Sequence, residues 1–403
     1  MSDALALDGA VETQEAPAWG AVGAMTLGVF GLVTAEFLPA SLLTPMAAEL
    51  GITEGTAGQA VTATALVALV SSLLVTAATR RIDRRHVLLG FSALLVVSNL
   101  LVAFAPSLPV LILGRVLLGI AIGGFWAMSA ALAMRLVPEA LVPRALSMIF
   151  SGVSAATIFA APVGSYLGHL LGWRSVFLLA AGLGAVTLIA QFLTLPRMVP
   201  TGAARLRTLL DVLRRPGIGL GMLAAMLVFS GHFAVFTYVR PFLESVTGVG
   251  ISVMSGILLG FGLANFVGTL LAGPMIERSL KFALIAMPLL MGALGLALVL
   301  IQGSAPVHAA LITLWGLAFG AVPVAWSTWL TRTVPDQTET AGGLLVAAVQ
   351  FAIAIGAAGG GAIYDLDGAV GVFATSSVVL LLAALLIVAG VRTRRTASGL
   401  PAQ

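Results

Sequence analysis

The sequence predicts an all-α integral membrane protein with twelve transmembrane helices in two pseudo-symmetric halves of six. Two observations predict this fold class. Of the 403 residues, 60% are hydrophobic and only 9% are charged, whereas about 25% of the residues in a soluble domain are charged. Charges, prolines and glycines also divide the chain into twelve apolar runs, each close to the roughly 20 residues with which a helix crosses a bilayer.

The twelve runs form two sets of six, separated by a polar segment. The first six cover residues 19–43, 58–79, 87–104, 109–134, 145–170 and 175–195, and the last six cover 217–239, 253–276, 282–301, 307–330, 342–363 and 368–391. We therefore predict an N-terminal half over residues 19–195, a cytoplasmic linker over 196–216 and a C-terminal half over 217–391, with cytoplasmic tails at 1–18 and 392–403.

Basic residues lie on one side of the predicted helices. All but three of the 20 Lys and Arg follow even-numbered runs or lie in the linker or the C-terminal tail. The exceptions are Arg115, Arg174 and Arg240. Because basic residues are retained on the cytoplasmic side of a membrane, we expect both termini in the cytoplasm. The basic charge balance reflects topology, so it implies no nucleic-acid partner.

The sequence argues against an enzyme. It has no cysteine, and its four histidines are scattered and form no metal-binding motif, so neither a metal site nor a cofactor is expected. A hydrolase built on Ser230 and His232 is disfavoured, because residues two apart on a helix point in different directions.

The two halves share local patterns. Arg135-Leu-Val-Pro138 ends the fourth run, and Arg332-Thr-Val-Pro335 ends the tenth. A duplicated six-helix unit with its site between the halves, near the middle of the membrane, is the usual plan of secondary transporters. The repeat therefore predicts transport of a small solute through a site that one chain can enclose as a monomer.

Glu36 and Arg115 are the candidate proton-coupling residues. A charge inside a membrane span is costly and marks a functional site. By helix rise, Glu36 lies about 27 Å from the cytoplasmic end of its span and Arg115 about 10 Å from the opposite end, so we expect both to face one cavity. A carboxyl group removed from water binds a proton more readily, and a nearby guanidinium opposes this. The alternative is a static buried ion pair.

Neutral polar and aromatic side chains within the runs are candidates for substrate binding. Aromatic rings stack on planar ligands, and amide or imidazole groups hydrogen-bond neutral polar ligands. The alternative for His232 is a packing role, and the alternative for Asn265 and Gln350 is a hydrogen bond to a neighbouring membrane helix. The candidates are Trp126, His232, Tyr238, Asn265, Trp326 and Gln350.

The loop after the second run resembles the acidic and basic cytoplasmic loop of the major facilitator superfamily. It reads Thr79-Arg-Arg-Ile-Asp-Arg-Arg-His86. The resemblance implies a gating role for Asp83, Arg84 and Arg85, which would form a latch that breaks as the two halves move. From the residues alone, the alternative is a basic anchor that fixes topology.

Further motifs extend this resemblance and imply a major facilitator fold. Residues 113–123 are similar to the fourth-helix motif whose arginine, here Arg115, is associated with proton coupling, and residues 161–165 are similar to the antiporter motif. The runs at 123–129 and 322–329 resemble a branch of drug and sugar exporters that exchange purine ribonucleosides for protons.

This branch implies a function. It would be export of ribonucleosides such as inosine or guanosine across a bacterial inner membrane, with the proton gradient as the energy source. The alternatives are a multidrug or sugar exporter, and a channel that passes solute without dependence on pH.

Overall fold

The structure of the chain is a computed structural model, which describes residues 17–138, 141–199, 211–301 and 305–391. Its regular structure is helical, with no strand among these residues, so the predicted all-helical fold is confirmed. The predicted C-terminal tail, nearly all of the N-terminal tail and the middle of the linker lie outside the described residues.

The described helices follow one another with short connections. They are α1 (Trp19–Leu50), α2 (Glu54–Ala78), α3 (Arg84–Ala103), α4 (Leu108–Leu136), α5 (Val142–Leu171), α6 (Trp173–Thr194), α7 (Ile218–Thr237), α8 (Val239–Phe242), α9 (Ile251–Leu300), α10 (Ala305–Thr333) and α11 (Thr338–Gly390). A π-helical segment, Leu243–Thr247, follows α8. We refer to α1–α6 as the N-terminal set and to α7–α11 as the C-terminal set.

Ten helices in the described part of the chain are long and apolar enough to cross a membrane, where the sequence predicts twelve spans. The difference lies in α9 and α11, which have 50 and 53 residues. At 1.5 Å per residue, a straight helix of either length would measure roughly 75–80 Å, against a hydrocarbon core of about 30 Å. Each contains one residue with non-helical dihedral angles, Ser279 and Gly368. The breaks lie where the sequence ends one run and begins the next.

The bundle has two ends, which we name by the direction of α1. The proximal end holds the start of α1, and the distal end holds the connection from α1 to α2. At the distal end α1 stops at Gly51, whose φ of 64° suits glycine, and Thr53 caps α2 by accepting from the backbone N of Thr56 at 3.0 Å. At the proximal end Asp83 caps α3 by accepting from the backbone N of Arg85 at 2.8 Å.

The buried apolar residues form two large clusters that divide along the chain. One lies between residues 21 and 198, and the other lies mainly between residues 212 and 391. The second also includes four residues of the N-terminal set, which are Ala40, Val61, Ala65 and Ala161. Across the boundary α2 packs against α11 and α5 packs against α9. A site between the two sets is therefore bordered by these helices together with α1 and α7.

Candidate functional site

Arg115 of α4 reaches across to α1 and α2. The approach of α4 to α2 is close because Gly119 and Gly123 face it, and a Cβ atom at Gly119 would lie only 2.5 Å from the Thr64 carbonyl oxygen. The Arg115 side chain is fully buried. Its Nε donates to Thr64 Oγ1 at 3.0 Å, and its Nη1 donates to the Ala35 carbonyl at 2.8 Å. The guanidinium therefore binds oxygens of both neighbouring helices.

Pro39 explains why the Ala35 carbonyl is free to accept this bond. In an α-helix the carbonyl of residue 35 normally accepts from the N–H of residue 39, but proline has no N–H. Pro39 lies inside α1, so the freed carbonyl needs another donor. A longer bond runs from Arg115 Nη2 to the Glu36 carbonyl at 3.4 Å. Glu36 and Arg115 thus lie at one depth, but the arginine binds backbone carbonyls and the Thr64 hydroxyl, and it makes no ion pair with the Glu36 carboxylate.

The Glu36 carboxyl group faces the C-terminal set. Glu36 is 9% exposed, and the side chain of Gln350 in α11 lies within hydrogen-bonding reach of the carboxyl. Oε1 of Glu36 and Oε1 of Gln350 are both buried without a hydrogen-bond partner. An unpaired buried polar atom costs about 1–3 kcal/mol, so each of these two oxygens would gain from a hydrogen-bond donor. One acceptor comes from each set.

An aromatic cluster joins α1 to the C-terminal set next to this position. Phe37 contacts the rings of Phe233 and Phe236 in α7, with centroids 6.4 and 5.2 Å apart. His232, also in α7, stacks on Phe319 of α10 with nearly parallel rings and centroids 3.3 Å apart. The cluster is therefore shared by three helices that belong to both sets.

Trp315 holds His232 in one tautomer. The indole Nε1 of Trp315 donates to His232 Nδ1 at 3.0 Å, so Nδ1 carries no proton and Nε2 carries it. His232 also borders a cavity of about 10 Å³ that is otherwise lined by apolar and aromatic side chains. That volume is near the lower limit for a single water molecule. In this conformation the cavity beside His232 is too small for an organic solute.

Three predicted substrate-binding residues lie outside this cluster. Trp126 stacks on Phe150 with centroids 5.6 Å apart and lies about 16 Å along α4 from the buried arginine. Trp326 is buried in the apolar core of the C-terminal set. Asn265 donates to the Gly316 carbonyl of α10 at 3.4 Å. For Asn265, this contact is the interhelical alternative.

Tyr238 lies at the distal contact between the two sets. It is fully buried, and its hydroxyl oxygen lies 3.4 Å from the carbonyl oxygen of Gly55 in α2 and 3.3 Å from that of Ala357 in α11, either of which can accept its single proton. Its ring stacks on Tyr364 with centroids 5.2 Å apart. Tyr238 is thus wedged between helices, away from the Glu36 carboxyl.

The predicted gating residues make their described contacts within the N-terminal set. Asp83 accepts from the backbone N of Met198 at 3.0 and 3.2 Å, which ties the α2–α3 loop to the segment after α6. Desolvation raises the pKa of Asp83, but the backbone donors of Met198 and Arg85 lower it, and the net pKa lies below its usual value. Arg85 donates to the Phe192 carbonyl at 2.7 Å, and Arg84 bonds the end of α2.

Sequence reasoning missed three contributors to the site. They are Thr64 and the Ala35 carbonyl, which accept from Arg115, and Phe319, which stacks on His232. The proline four residues after Ala35 is the sequence signal that could have identified the carbonyl. Among the residues that the structure describes, no three His, Asp or Glu side chains converge to hold a metal ion.

Comparison with known proteins relates the chain to membrane transporters. The model of the Major Facilitator Superfamily matches residues 25–336 and 241–403. The purine ribonucleoside efflux pump NepI of Salmonella typhimurium strain LT2 is 47% identical over 376 residues, which are 93% of this chain and 95% of that protein. NepI of Salmonella enteritidis PT4 is 46% identical with the same coverage.

Solved structures share the fold at low sequence identity. A bacterial homologue of the human lysosomal transporter Spinster, in an inward-facing and occupied conformation, has a TM-score of 0.76 at 15% identity and covers 93% of this chain and 96% of its own. A D-xylose–proton symporter has a TM-score of 0.74 at 18% identity and covers 93% and 98%. This likeness concerns the fold, and it agrees with the predicted major facilitator fold.

Proposed function

The chain belongs to the Major Facilitator Superfamily, and from this we propose that it exports purine ribonucleosides, such as inosine and guanosine, in exchange for protons. The proposal rests first on the likeness to the NepI pumps, which are named as purine ribonucleoside efflux pumps and match 93% of this chain. It includes a location in the bacterial inner membrane, with both termini in the cytoplasm. Because one chain supplies both sides of the site, the proposal takes the monomer as the working unit.

The observation that carries the proposal is the pair of unpaired acceptors on Glu36 and Gln350. A ribose ring has hydroxyl groups that donate hydrogen bonds, and each of these oxygens can accept one. A proton on the Glu36 carboxyl would turn it into a donor and remove an acceptor from the sugar. Proton and substrate would then favour different states of the same carboxyl group, which is the requirement for exchange.

The aromatic cluster would bind the base. Purine rings are planar, so they stack on aromatic side chains such as those of Phe236 and Phe319. His232 carries its proton on Nε2, where it can donate to an acceptor on the edge of the base. Because the cavity beside His232 measures about 10 Å³, the rings must separate when a solute enters.

Export of labelled inosine from cells that express the chain tests the proposal, with and without a proton uncoupler. Glu36→Gln is expected to abolish uncoupler-sensitive export, because an amide cannot carry the proton. Glu49→Gln, on the same helix but at its distal end, is the matched control and should export normally. No inosine export above background would contradict the substrate, and drugs and sugars would be tested next. Export that ignores the uncoupler would contradict proton exchange.

A further inference from the structure

The corner between α7 and α8 forms a separate contact between the two sets, at the distal end. Pro241 lacks an N–H, so the Thr237 carbonyl loses its helical donor and α7 ends at Thr237. Tyr238 leaves the helix with φ −107° and ψ 15°. After the single turn of α8 comes the π-helical segment Leu243–Thr247. Such segments are rare and frequently lie at functional sites.

Tyr238 fills a socket made by glycines of both sets. The Tyr238 hydroxyl overlaps the space that a Cβ atom would take at Gly58 of α2. At Gly361 of α11 a Cβ atom would lie 2.7 Å from the same hydroxyl, and at Gly360 it would lie 2.9 Å from the ring Cε2. The ring fits only because these positions have no side chain. If α2 separated from α11, Tyr238 could no longer contact the glycines of both helices.

Arg240 holds α1 through a carbonyl that Pro45 frees. Pro45 lies inside α1, and its missing N–H leaves the Ser41 carbonyl without its helical donor. Arg240 Nη1 donates to this carbonyl at 2.5 Å, and its Nε donates to Glu244 Oε1 at 2.8 Å. Glu244 Oε2 accepts from Thr44 Oγ1 of α1 at 2.6 Å. The corner thus binds α1 at the Ser41 carbonyl and at the Thr44 hydroxyl, about one helical turn apart.

We propose that Tyr238 and Arg240 form a distal gate, in which Arg240 is the positioning residue that keeps α1 closed against the C-terminal set. The guanidinium and the Ser41 carbonyl satisfy each other only while α1 touches the corner. When the sets separate, water replaces both partners, so opening exchanges one set of hydrogen bonds for another. A balance of this kind can be shifted by a bound solute or proton. The gate rests on these contacts and not on the proposed substrate.

Single cysteines can report the state of this gate, because the chain has no cysteine of its own. Ala57 of α2 is 2% exposed and lies in the apolar cluster that Tyr238 joins, so labelling of Ala57→Cys reports distal opening. Ser107→Cys, on the exposed loop between α3 and α4, is accessible whether or not the gate is open, so it reports the amount of protein and the activity of the reagent. In nanodiscs a water-soluble maleimide reaches both membrane faces. The labelling rate then depends neither on how the protein is oriented in the membrane nor on any transported solute.

Removal of the guanidinium should open the gate. Arg240→Ala is expected to raise the labelling rate of Ala57→Cys about tenfold, which is the change that loss of one hydrogen bond of a charged group produces. Arg240→Lys should give an intermediate rate, since one ammonium group cannot reproduce the fork between Ser41 and Glu244.

Arg174→Ala is the matched control, because Arg174 also lies at the distal end and donates to two backbone carbonyls, but within the N-terminal set. Its labelling rate should equal that of the parent. If Arg240→Ala also labels at the parent rate while Ser107→Cys labels fully, the gate is overturned.

Pro45→Ala tests the carbonyl without touching the arginine. An N–H at position 45 would bond the Ser41 carbonyl within the helix and compete with Arg240 for it. The labelling rate of Ala57→Cys is therefore expected to rise in this variant also. An unchanged rate would overturn the role assigned to the freed carbonyl.

Discussion

Arg115→Met should destabilise the protein far more when residue 39 is proline than when it is alanine. In the natural sequence Arg115 Nη1 donates to the Ala35 carbonyl at 2.8 Å, and Pro39 cannot. After Arg115→Met this buried carbonyl has no donor. Pro39→Ala restores an N–H four residues after Ala35, so in that background the carbonyl is paired within the helix.

The difference between the two backgrounds is the quantity that the structure predicts. Removal of a buried charge relieves a desolvation cost and also removes hydrogen bonds, so the total effect of Arg115→Met mixes terms of both signs. Those terms, including the lost bond to Thr64 Oγ1 at 3.0 Å, are the same whether residue 39 is proline or alanine. The effect of Arg115→Met on the free energy of unfolding should therefore differ between the two backgrounds by the cost of one unpaired buried carbonyl, about 1–3 kcal/mol.

A double-mutant cycle measures this coupling energy. Equilibrium unfolding in mixed detergent micelles, followed by tryptophan fluorescence, would be compared for the parent, both single variants and the double variant. Pro45→Ala combined with Arg115→Met is the matched control. Its freed carbonyl bonds Arg240 and not Arg115, so no coupling is expected. A coupling energy below about 0.5 kcal/mol between Arg115→Met and Pro39→Ala, which is the scatter of independent sites, would refute the reasoning.

Three further predictions concern packing and surface contacts. Gly268→Ala should strongly lower the melting temperature, because a Cβ atom there overlaps a backbone carbonyl of α10. At Gly256 on the same helix a Cβ atom meets open space, so Gly256→Ala should raise the melting temperature slightly, since alanine is the better helix former. The pKa of Asp83 is lowered in the folded protein. Its contribution to stability is therefore present above the unfolded-state pKa of about 4 and is lost as pH falls through the folded-state pKa. Asp83→Asn should remove this part of the loss of stability at low pH, measured as melting temperature against pH. Glu49→Ala should lower the melting temperature, because its carboxylate accepts from the indole of the buried Trp173 as well as from Arg174. Asp336→Ala breaks only an ion pair of similar exposure and should lower it less. Equal shifts within either pair, or unchanged acid sensitivity in the asparagine variant, would contradict the corresponding argument.

The helices could be predicted from the sequence because hydropathy reports where the chain enters and leaves the hydrocarbon. The predicted turns after residues 276 and 363 coincide with the breaks at Ser279 and Gly368. At each break two helices meet across a kink, so each long element covers two of the predicted runs.

The site could be predicted only in part. Depth along a helix can be counted, and the structure places Glu36 and Arg115 at one level, where the arginine bonds the Glu36 carbonyl. Which atoms meet depends on helix rotation and rotamers, so the sequence could not show that the guanidinium binds two carbonyls and a hydroxyl rather than the Glu36 carboxylate. The bond between Trp315 and His232 joins α10 to α7. No local pattern encodes which helices become neighbours, so this contact had no sequence signal.

The two prolines of α1 connect the carboxyl site to the gate. Each proline frees a carbonyl that accepts a hydrogen bond from a guanidinium group. The Ala35 carbonyl accepts from Arg115 of the N-terminal set, and the Ser41 carbonyl accepts from Arg240 of the C-terminal set. The two carbonyls lie about 9 Å apart along the helix, with Glu36 between them. The first bond lies within one set and survives when the sets separate, whereas the second requires contact between them. Opening of the proposed gate would therefore break the bond between Arg240 and α1 and keep the bond between Arg115 and α1. The surroundings of the Glu36 carboxyl would change while α1 stays bound to α4. In the proposed gate, a proton on this carboxyl and the contact between the two sets would be coupled through a short segment of a single helix.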